Sequence, residues 1–359
     1  MITISLCMIV KNEEEALPRC LKSVEGLVDE IVVVDTGSTD RTIDIARSLG
    51  AVVYEYKWQD DFSAARNYAF AQGTSDYLFW LDADDVLEEA DANKLKSLKN
   101  SMTLDYDSIT MDYILSLSEN GQPLHRLKRN RLVRRNRKFQ WIGFVHEYLA
   151  VSGQVFHSDI AVTHKKNRAY SERNLQLYLG QRDRGMTFTE RDQYYFGNEL
   201  LDNGRVSEAA EQYELFLALE QGWVEDKIAA CHKLADCYGR LEQPEEQKLA
   251  LLRSLNYDAP RADFCCKFGN FFIEKEMYET AIYWFRQATL MEPPRDAMNL
   301  VDLSYWTWLP HLQLCVSYDR LGKHAKAKYH HEWCKVHYPN HPSIIYNEAY
   351  FAELAAKPG

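Results

Sequence analysis

Three aspartates stand together at Asp82, Asp84 and Asp85, directly after the apolar run Tyr77-Leu78-Phe79-Trp80-Leu81. Carboxylates crowded at the end of a strand repel one another and raise each other's pKa unless a cation holds them ionised. That grouping could seat a divalent metal, or it could be a solvated acidic turn after a core strand. Two further acids end earlier apolar runs: Glu13 follows Met8-Ile9-Val10-Lys11-Asn12, and Asp35 follows Ile31-Val32-Val33-Val34. Ionised acceptors at strand ends can take hydrogen bonds from a ribose and a base, and Gly37, two residues after Asp35, lets the backbone approach a ligand closely.

The elements that must position these groups alternate in type. Strands are expected over residues 2–10, 30–34, 51–56 and 77–81. Helices between them are expected over 12–24, from a cap at Thr39-Asp40-Arg41-Thr42 to Leu49, and over 63–72, the last two stopping at Gly50 and Gly73. Repeated β-α-β of this kind implies a mainly parallel sheet with helices on both faces. In open sheets ligands collect at the carboxyl ends of the strands, where the acids fall. Longer polar strands at 108–117, 126–134 and 154–163 imply an antiparallel extension. The run Arg126 to Lys138 is strongly basic, and its arginines could meet a diphosphate or an acidic acceptor, or form a solvated face.

Beyond about Tyr170 the signals are helical and repeat. Gly204-Arg205-Val206-Ser207-Glu208-Ala209, Glu276-Met277-Tyr278-Glu279-Thr280-Ala281 and Gly322-Lys323-His324-Ala325-Lys326-Ala327 each set a small residue five positions after a turn residue. The spacing averages near that of tetratricopeptide units, which stack as helix pairs and offer a concave surface to extended peptides. His330 and His331 lie beside Trp333 and Cys334, without a second cluster to complete a metal site.

A length of 359 residues implies two domains, placed at 1–168 and 169–359. The formal charge of −11 argues against nucleic acid as the main partner. No apolar run reaches membrane-span length and the N-terminus lacks a signal pattern, so a cytoplasmic protein is expected. The eight cysteines show no metal spacing and read as reduced core residues. The apolar helix at 344–355 and the exposed repeat face permit a homodimer.

Met8 to Glu14, Ile31 to Asp40, Ala65-Arg66-Asn67 and Asp82-Ala83-Asp84-Asp85 resemble, in order, the successive motifs of family 2 glycosyltransferases of the GT-A fold. Trp141-Ile142-Gly143-Phe144-Val145-His146-Glu147, His164 and Arg173-Asn174, followed by helical repeats, are similar to the subgroup fused to tetratricopeptide units, which includes the sublancin-type peptide S-glycosyltransferases. The resemblance implies a GT-A (Rossmann-like) mixed sheet followed by an all-α repeat domain. It implies an inverting transfer from a UDP-sugar with Mg²⁺ or Mn²⁺ to a Ser, Thr or Cys of a peptide or protein held by the repeats.

Carried over by motif, Asp35 would bind the uracil, Glu13 the ribose, Arg66 the base or diphosphate, and Asp82 and Asp84 the ribose and metal. Val10, Asn12, Gly37 and Ala83 would line the nucleotide site, Trp141 would offer an apolar platform to a sugar face or join the core, and His164 would be a third metal ligand. Inversion needs a base opposite the leaving group. Glu147, with His146, stands where many family members have a Glu-Asp pair. Rival readings are transfer to a cell-wall or lipid-linked glycan, and a catalytically silent scaffold that keeps a vestigial nucleotide-sugar site.

Overall fold

The computed structural model describes residues 2–103, 105–166 and 171–356. Two compact units emerge. One comprises residues 1–116, 126–187 and 296–300, and the other residues 117–125, 188–295 and 301–359. The domain boundary expected at 168/169 lies outside the described residues.

The first unit is built on a mixed sheet. Its strands are β1 (Ile4–Val10), β2 (Glu30–Asp35), β3 (Val52–Glu55), β4 (Tyr77–Trp80), β5 (Asp85–Val86), β6 (Ser108–Leu117), β7 (Pro123–Arg134) and β10 (Val155–His164), with the small ribbon β8 (Trp141–Ile142) and β9 (Tyr148–Leu149) beside it. The order is β3-β2-β1-β4-β7-β6-β10-β5. The helices α1 (Leu17–Ser23), α2 (Thr42–Ser48), α3 (Phe62–Gln72) and α4 (Glu89–Ser101) make the connections, and α5 (Arg173–Asp183) follows. β1 runs parallel to both β2 and β4, as alternating β-α-β requires. The β-branched and aromatic residues of these strands are buried on both faces; Ile4, Leu6, Met8, Val33 and Phe79 pack on one side, and Cys7, Val32, Val34, Leu78 and Trp80 on the other. The N-cap of α2 is Arg41, without a side-chain cap bond, and Asp40 before it accepts from the backbone N–H of Thr42, the first helical residue, at 3.0 Å.

One expectation is corrected. β7 does run antiparallel to β4, but β10 pairs with β6 in parallel, from Val155 beside Ser108 to Thr163 beside Ile114. The reason lies in where the chain is when β10 begins. The Arg134 N–H donates to the Asp107 carbonyl and the Asp107 N–H to the Gln154 carbonyl. The chain is therefore still at the starting end of β6, and with β7 already on one edge it runs up the other in the same direction.

The second unit is helical, in successive pairs: α6 (Glu190–Asp202) with α7 (Val206–Ala218), α8 (Val224–Arg240) with α9 (Pro244–Arg253), α10 (Ala262–Glu274) with α11 (Tyr278–Ala288), and α12 (Leu309–Arg320) with α13 (His324–His337), before α14 (Pro342–Ala356). These are the tetratricopeptide-like repeats, and a shared contact marks them. A Cβ on Gly197 of α6 would lie 2.7 Å from the Tyr213 ring of α7, and one on Gly269 of α10 would lie 2.7 Å from the Phe285 ring of α11. In both pairs glycine lets a buried aromatic knob seat against the neighbouring helix. All eight cysteines are buried and free. No helix among the described residues is long and apolar enough to cross a membrane.

Candidate active site

Strand register brings the acids to one edge. Val10 sits opposite Asp35 in the β1–β2 ladder, and Cys7 opposite Trp80 in the β1–β4 ladder, so three neighbouring strands end side by side. Above those ends lies a cleft of about 430 Å³. Of the residues singled out in the sequence, Val10, Glu13, Arg66, Asp82, Ala83, Asp84, Trp141, His146, Glu147 and His164 line it; Asn12, Asp35 and Gly37 stand outside the lining, whereas Thr36 is part of it.

Asp35 folds back on its own turn. Its Oδ2 accepts from the N–H groups of Gly37 and Ser38, both at 2.9 Å, and Gly37 adopts φ +105°, which favours glycine. Asp35 Oδ1 is buried with no hydrogen-bond partner among the described residues, which leaves a strong acceptor unsatisfied. Asn12 closes the adjoining turn: its Oδ1 accepts from the Thr39 N–H at 2.7 Å.

The aspartates of the fourth strand end serve different partners. Asp82 Oδ1 accepts from Arg66 Nη2 at 2.7 Å. Burial pushes the Asp82 carboxyl up, and the charges of Arg66 and Arg131 outweigh it, holding the group below the usual carboxylate range. Asp85 is fully buried and pairs with the equally buried Arg131 at 2.9 Å, while its Oδ2 also accepts the Asp82 backbone N–H at 3.0 Å. The loop that presents Asp82 and Asp84 is thus pinned from below.

β5 runs antiparallel to β10, with His164 directly opposite Asp85. His164 Nδ1 lies 3.4 Å from Asp84 Oδ1, 3.5 Å from Asp85 Oδ1 and 3.0 Å from Tyr113 Oη. Hydrogen bonding to Asp84 and Asp85 pushes His164 up to about 10 against the effect of burial. Asp84, Asp85 and His164 each offer a ligand atom within 4.8 Å of the others. Two carboxylates and an imidazole form a donor set that fits a hard or borderline divalent cation. Asp82, expected as a ligand from the sequence, is turned to Arg66, and Asp85 takes its place in the cluster.

Glu147 sits on the loop after β8, shaped by Gly143 at φ +100° and His146 at φ +52°. Its Oε1 accepts from Arg66 Nε at 2.5 Å. Trp141 is 4 % exposed, and its indole faces the Arg66 guanidinium at 4.9 Å while packing edge-on against Trp80. Asn67 explains how this wall is held: its side chain bonds the Trp141 N–H at 2.8 Å and the Trp141 carbonyl at 3.0 Å, stitching β8 to α3.

Trp80, Arg131 and Tyr113 escape a reading of the chain. Arg66, Trp80, Arg131 and Tyr113 form an alternating stack of cations and rings: Trp80 lies 5.0 Å from Arg66 and 3.8 Å from Arg131, and Tyr113 lies 4.4 Å from Arg131. The available signal was the period of two in the basic run, which puts Arg129 and Arg131 on one face of β7; Arg129 lines the cleft. Other members of that run are paired elsewhere in the fold. Lys128 donates to the Ser158 carbonyl at 2.6 Å, Arg135 to the Ser75 carbonyl at 2.7 Å, and Arg137 pairs with Asp107 at 3.2 Å.

Residues 5–158 match the family model described as glycosyl transferase family 2. A TPR repeat-containing protein of Synechococcus elongatus is 56% identical over 87 residues, covering 24% of this chain and 22% of the relative. The SPbeta prophage-derived glycosyltransferase SunS of Bacillus subtilis is 31% identical over 188 residues, covering 49% of this chain and 44% of the relative. The chain therefore spans less than half the length of either. Among solved structures, glucosyl-3-phosphoglycerate synthase from Mycobacterium tuberculosis, in complex with Mn²⁺, UDP and glucosyl-3-phosphoglycerate, aligns at 16% identity with a TM-score of 0.35, over 53% of this chain and 82% of that one.

Proposed function

We propose, for a chain whose residues 5–158 are a glycosyl transferase family 2 domain followed by tetratricopeptide-like repeats, that the protein moves a sugar with inversion from a UDP-sugar to a Ser, Thr or Cys of a peptide or protein. The observation that carries the reading is the gathering of Glu13, Asp84, His164 and Glu147 around one cleft at the carboxyl ends of parallel strands.

In this reading Glu13 takes the ribose hydroxyls and Asp35 the uracil, whose N–H would satisfy the carboxylate oxygen that has no partner among the described residues. Asp84 and His164, with Asp85 behind them, would hold Mg²⁺ or Mn²⁺, which when bound supplies positive charge to the departing diphosphate. His164 would give up its proton on ligation. Asp82, kept ionised by Arg66 and Arg131, would meet the ribose.

Glu147 removes the proton from the acceptor hydroxyl or thiol. The freed oxygen or sulfur attacks the anomeric carbon, and the bond from that carbon to the diphosphate oxygen breaks with its electron pair leaving on UDP. The new glycosidic bond has inverted configuration, and Glu147 returns its proton to solvent. The repeats support the acceptor class, since stacked helix pairs present surfaces suited to extended peptides.

Purified protein incubated with Mn²⁺ and a panel of nucleotide sugars should release UDP from one of them. Asp84→Ala should abolish that release, and Glu147→Gln should keep nucleotide binding while losing transfer. UDP release that is equal in all three proteins would refute the assignment, and release from none would favour a scaffold.

A further inference from the structure

We propose that Arg66 is a positioning residue for this transfer, fixing the Glu147 carboxylate and tying its placement to Asp82 through one guanidinium. The inference rests on the reading of Glu147 as the acceptor's base. Its starting point is that no strand or helix holds Glu147: the residue sits on the loop between β8 and β9, next to a left-handed His146. What holds its carboxylate is Arg66 Nε at 2.5 Å, while Nη2 of the same group holds Asp82 at 2.7 Å.

A guanidinium can do this because its donors lie in a rigid plane and point in fixed directions; an ammonium has no such fork. The plane itself is immobilised. Arg66 is 8 % exposed, and its guanidinium lies 5.0 Å from Trp80 and 4.9 Å from Trp141, two indoles that meet edge-on and wall it from one side. Neither indole is free to give way. Trp80 Nε1 donates to the Asn130 carbonyl at 2.6 Å, and the Trp141 backbone is gripped at both its N–H and its carbonyl by Asn67. For Arg66 to swing out to a phosphate it would have to break two charge-assisted bonds and leave both rings, so a direct role on the nucleotide is disfavoured.

The arrangement also suits a base. Two bonds from one guanidinium fix the directions in which the Glu147 and Asp82 carboxylates point. Because Asp82 is adjacent in chain to the proposed cation cluster, the base and the leaving-group end of the site are held at a fixed separation, which an in-line displacement requires.

The test compares Arg66→Met, Arg66→Lys, Glu147→Gln and the double variant Arg66→Met/Glu147→Gln, measuring UDP affinity by calorimetry with Mn²⁺ and UDP release from the UDP-sugar that wild type turns over. The expected result for Arg66→Met is a UDP Kd and donor KM within about threefold of wild type and a kcat lower by about 100-fold, the size of a mispositioned general base. Adding Glu147→Gln to it should cost less than about threefold more, since both changes remove one function. Arg66→Lys, which can satisfy only one carboxylate, should recover part of kcat, and it carries the test if Arg66→Met does not fold, as judged by circular dichroism.

A UDP affinity that falls more than about tenfold in either Arg66 variant while kcat is kept would make Arg66 a nucleotide contact and overturn the proposal. Multiplying losses in the double variant would overturn it too. Wild type that binds no UDP would instead end the functional reading itself, a result distinct from either.

Discussion

Replacing Asp85 by alanine tests whether the buried ion pair beneath the cleft builds the loop above it. Asp85 and Arg131 have no exposed side-chain surface and meet at 2.9 Å. Alanine leaves the guanidinium charged in a cage of Trp80 and Tyr113 and removes the acceptor of the Asp82 N–H. Breaking a buried pair from one side costs about 3–5 kcal/mol, because the remaining charge is uncompensated. Two ring faces at 3.8 and 4.4 Å return part of that, on the order of 1–2 kcal/mol. The net expectation is a loss of about 3 kcal/mol, a large share of a typical domain's stability. Two compact units need not unfold in one step, so the suitable readout is native-state hydrogen exchange of the β4 and β7 amides rather than a single melting curve. The double variant Asp85→Asn/Arg131→Met removes both charges and should recover at least half of the loss. A cost under about 1 kcal/mol for Asp85→Ala, or a double variant worse than the single, would refute the reasoning.

Two further outcomes concern the repeats. Gly269→Val should destabilise the α10–α11 pair by roughly 2–3 kcal/mol in urea titrations, since its Cβ would fall within 2.7 Å of the fully buried Phe285 ring; an unchanged midpoint would mean the helices separate freely. Asp226 is pushed up to about 6 by burial, against the opposing charge of Arg191. The unfolded carboxyl ionises first, near its ordinary 3.8, so between that pH and about 6 the native state binds the extra proton and its stability falls as pH rises. Asp226→Asn removes this slope, and urea titrations at pH 4 and pH 7 should show the variant gaining on wild type by up to about 3 kcal/mol; no change in the difference with pH would contradict it.

The sheet was legible because its signals are local. The β-branched run of β2, the stop at Gly50 and the acids after β1, β2 and β4 each follow from neighbours in the chain, and register then carries Val10, Asp35 and Asp82 to one edge. The misread elements depend on partners far away. β10 looked like another antiparallel strand because its sequence records only a pleated, half-buried surface, whereas its direction follows from the Asp107 and Gln154 contacts. The basic run gave the same difficulty. Nothing near Arg131 announces that its guanidinium lies between Trp80 and Tyr113 and pairs with Asp85, or that Lys128 is taken up by the Ser158 carbonyl and Asp112, and Arg135 by the Ser75 carbonyl. Likewise the spacing Asp82-Ala83-Asp84-Asp85 groups three carboxylates without telling which two of them meet His164; the antiparallel pairing of β5 with β10 decides that for Asp84 and Asp85.

In the proposed function this cleft grips a nucleoside diphosphate through a divalent cation at Asp84 and His164. Calorimetric titration of UDP into wild type and Asp84→Asn, each with Mn²⁺ and with chelator, addresses it directly. Wild type should bind UDP saturably only with the cation, and the variant at least about tenfold more weakly, the scale expected for losing a metal ligand. Binding of equal strength with and without Mn²⁺, or unaltered by the substitution, would contradict it.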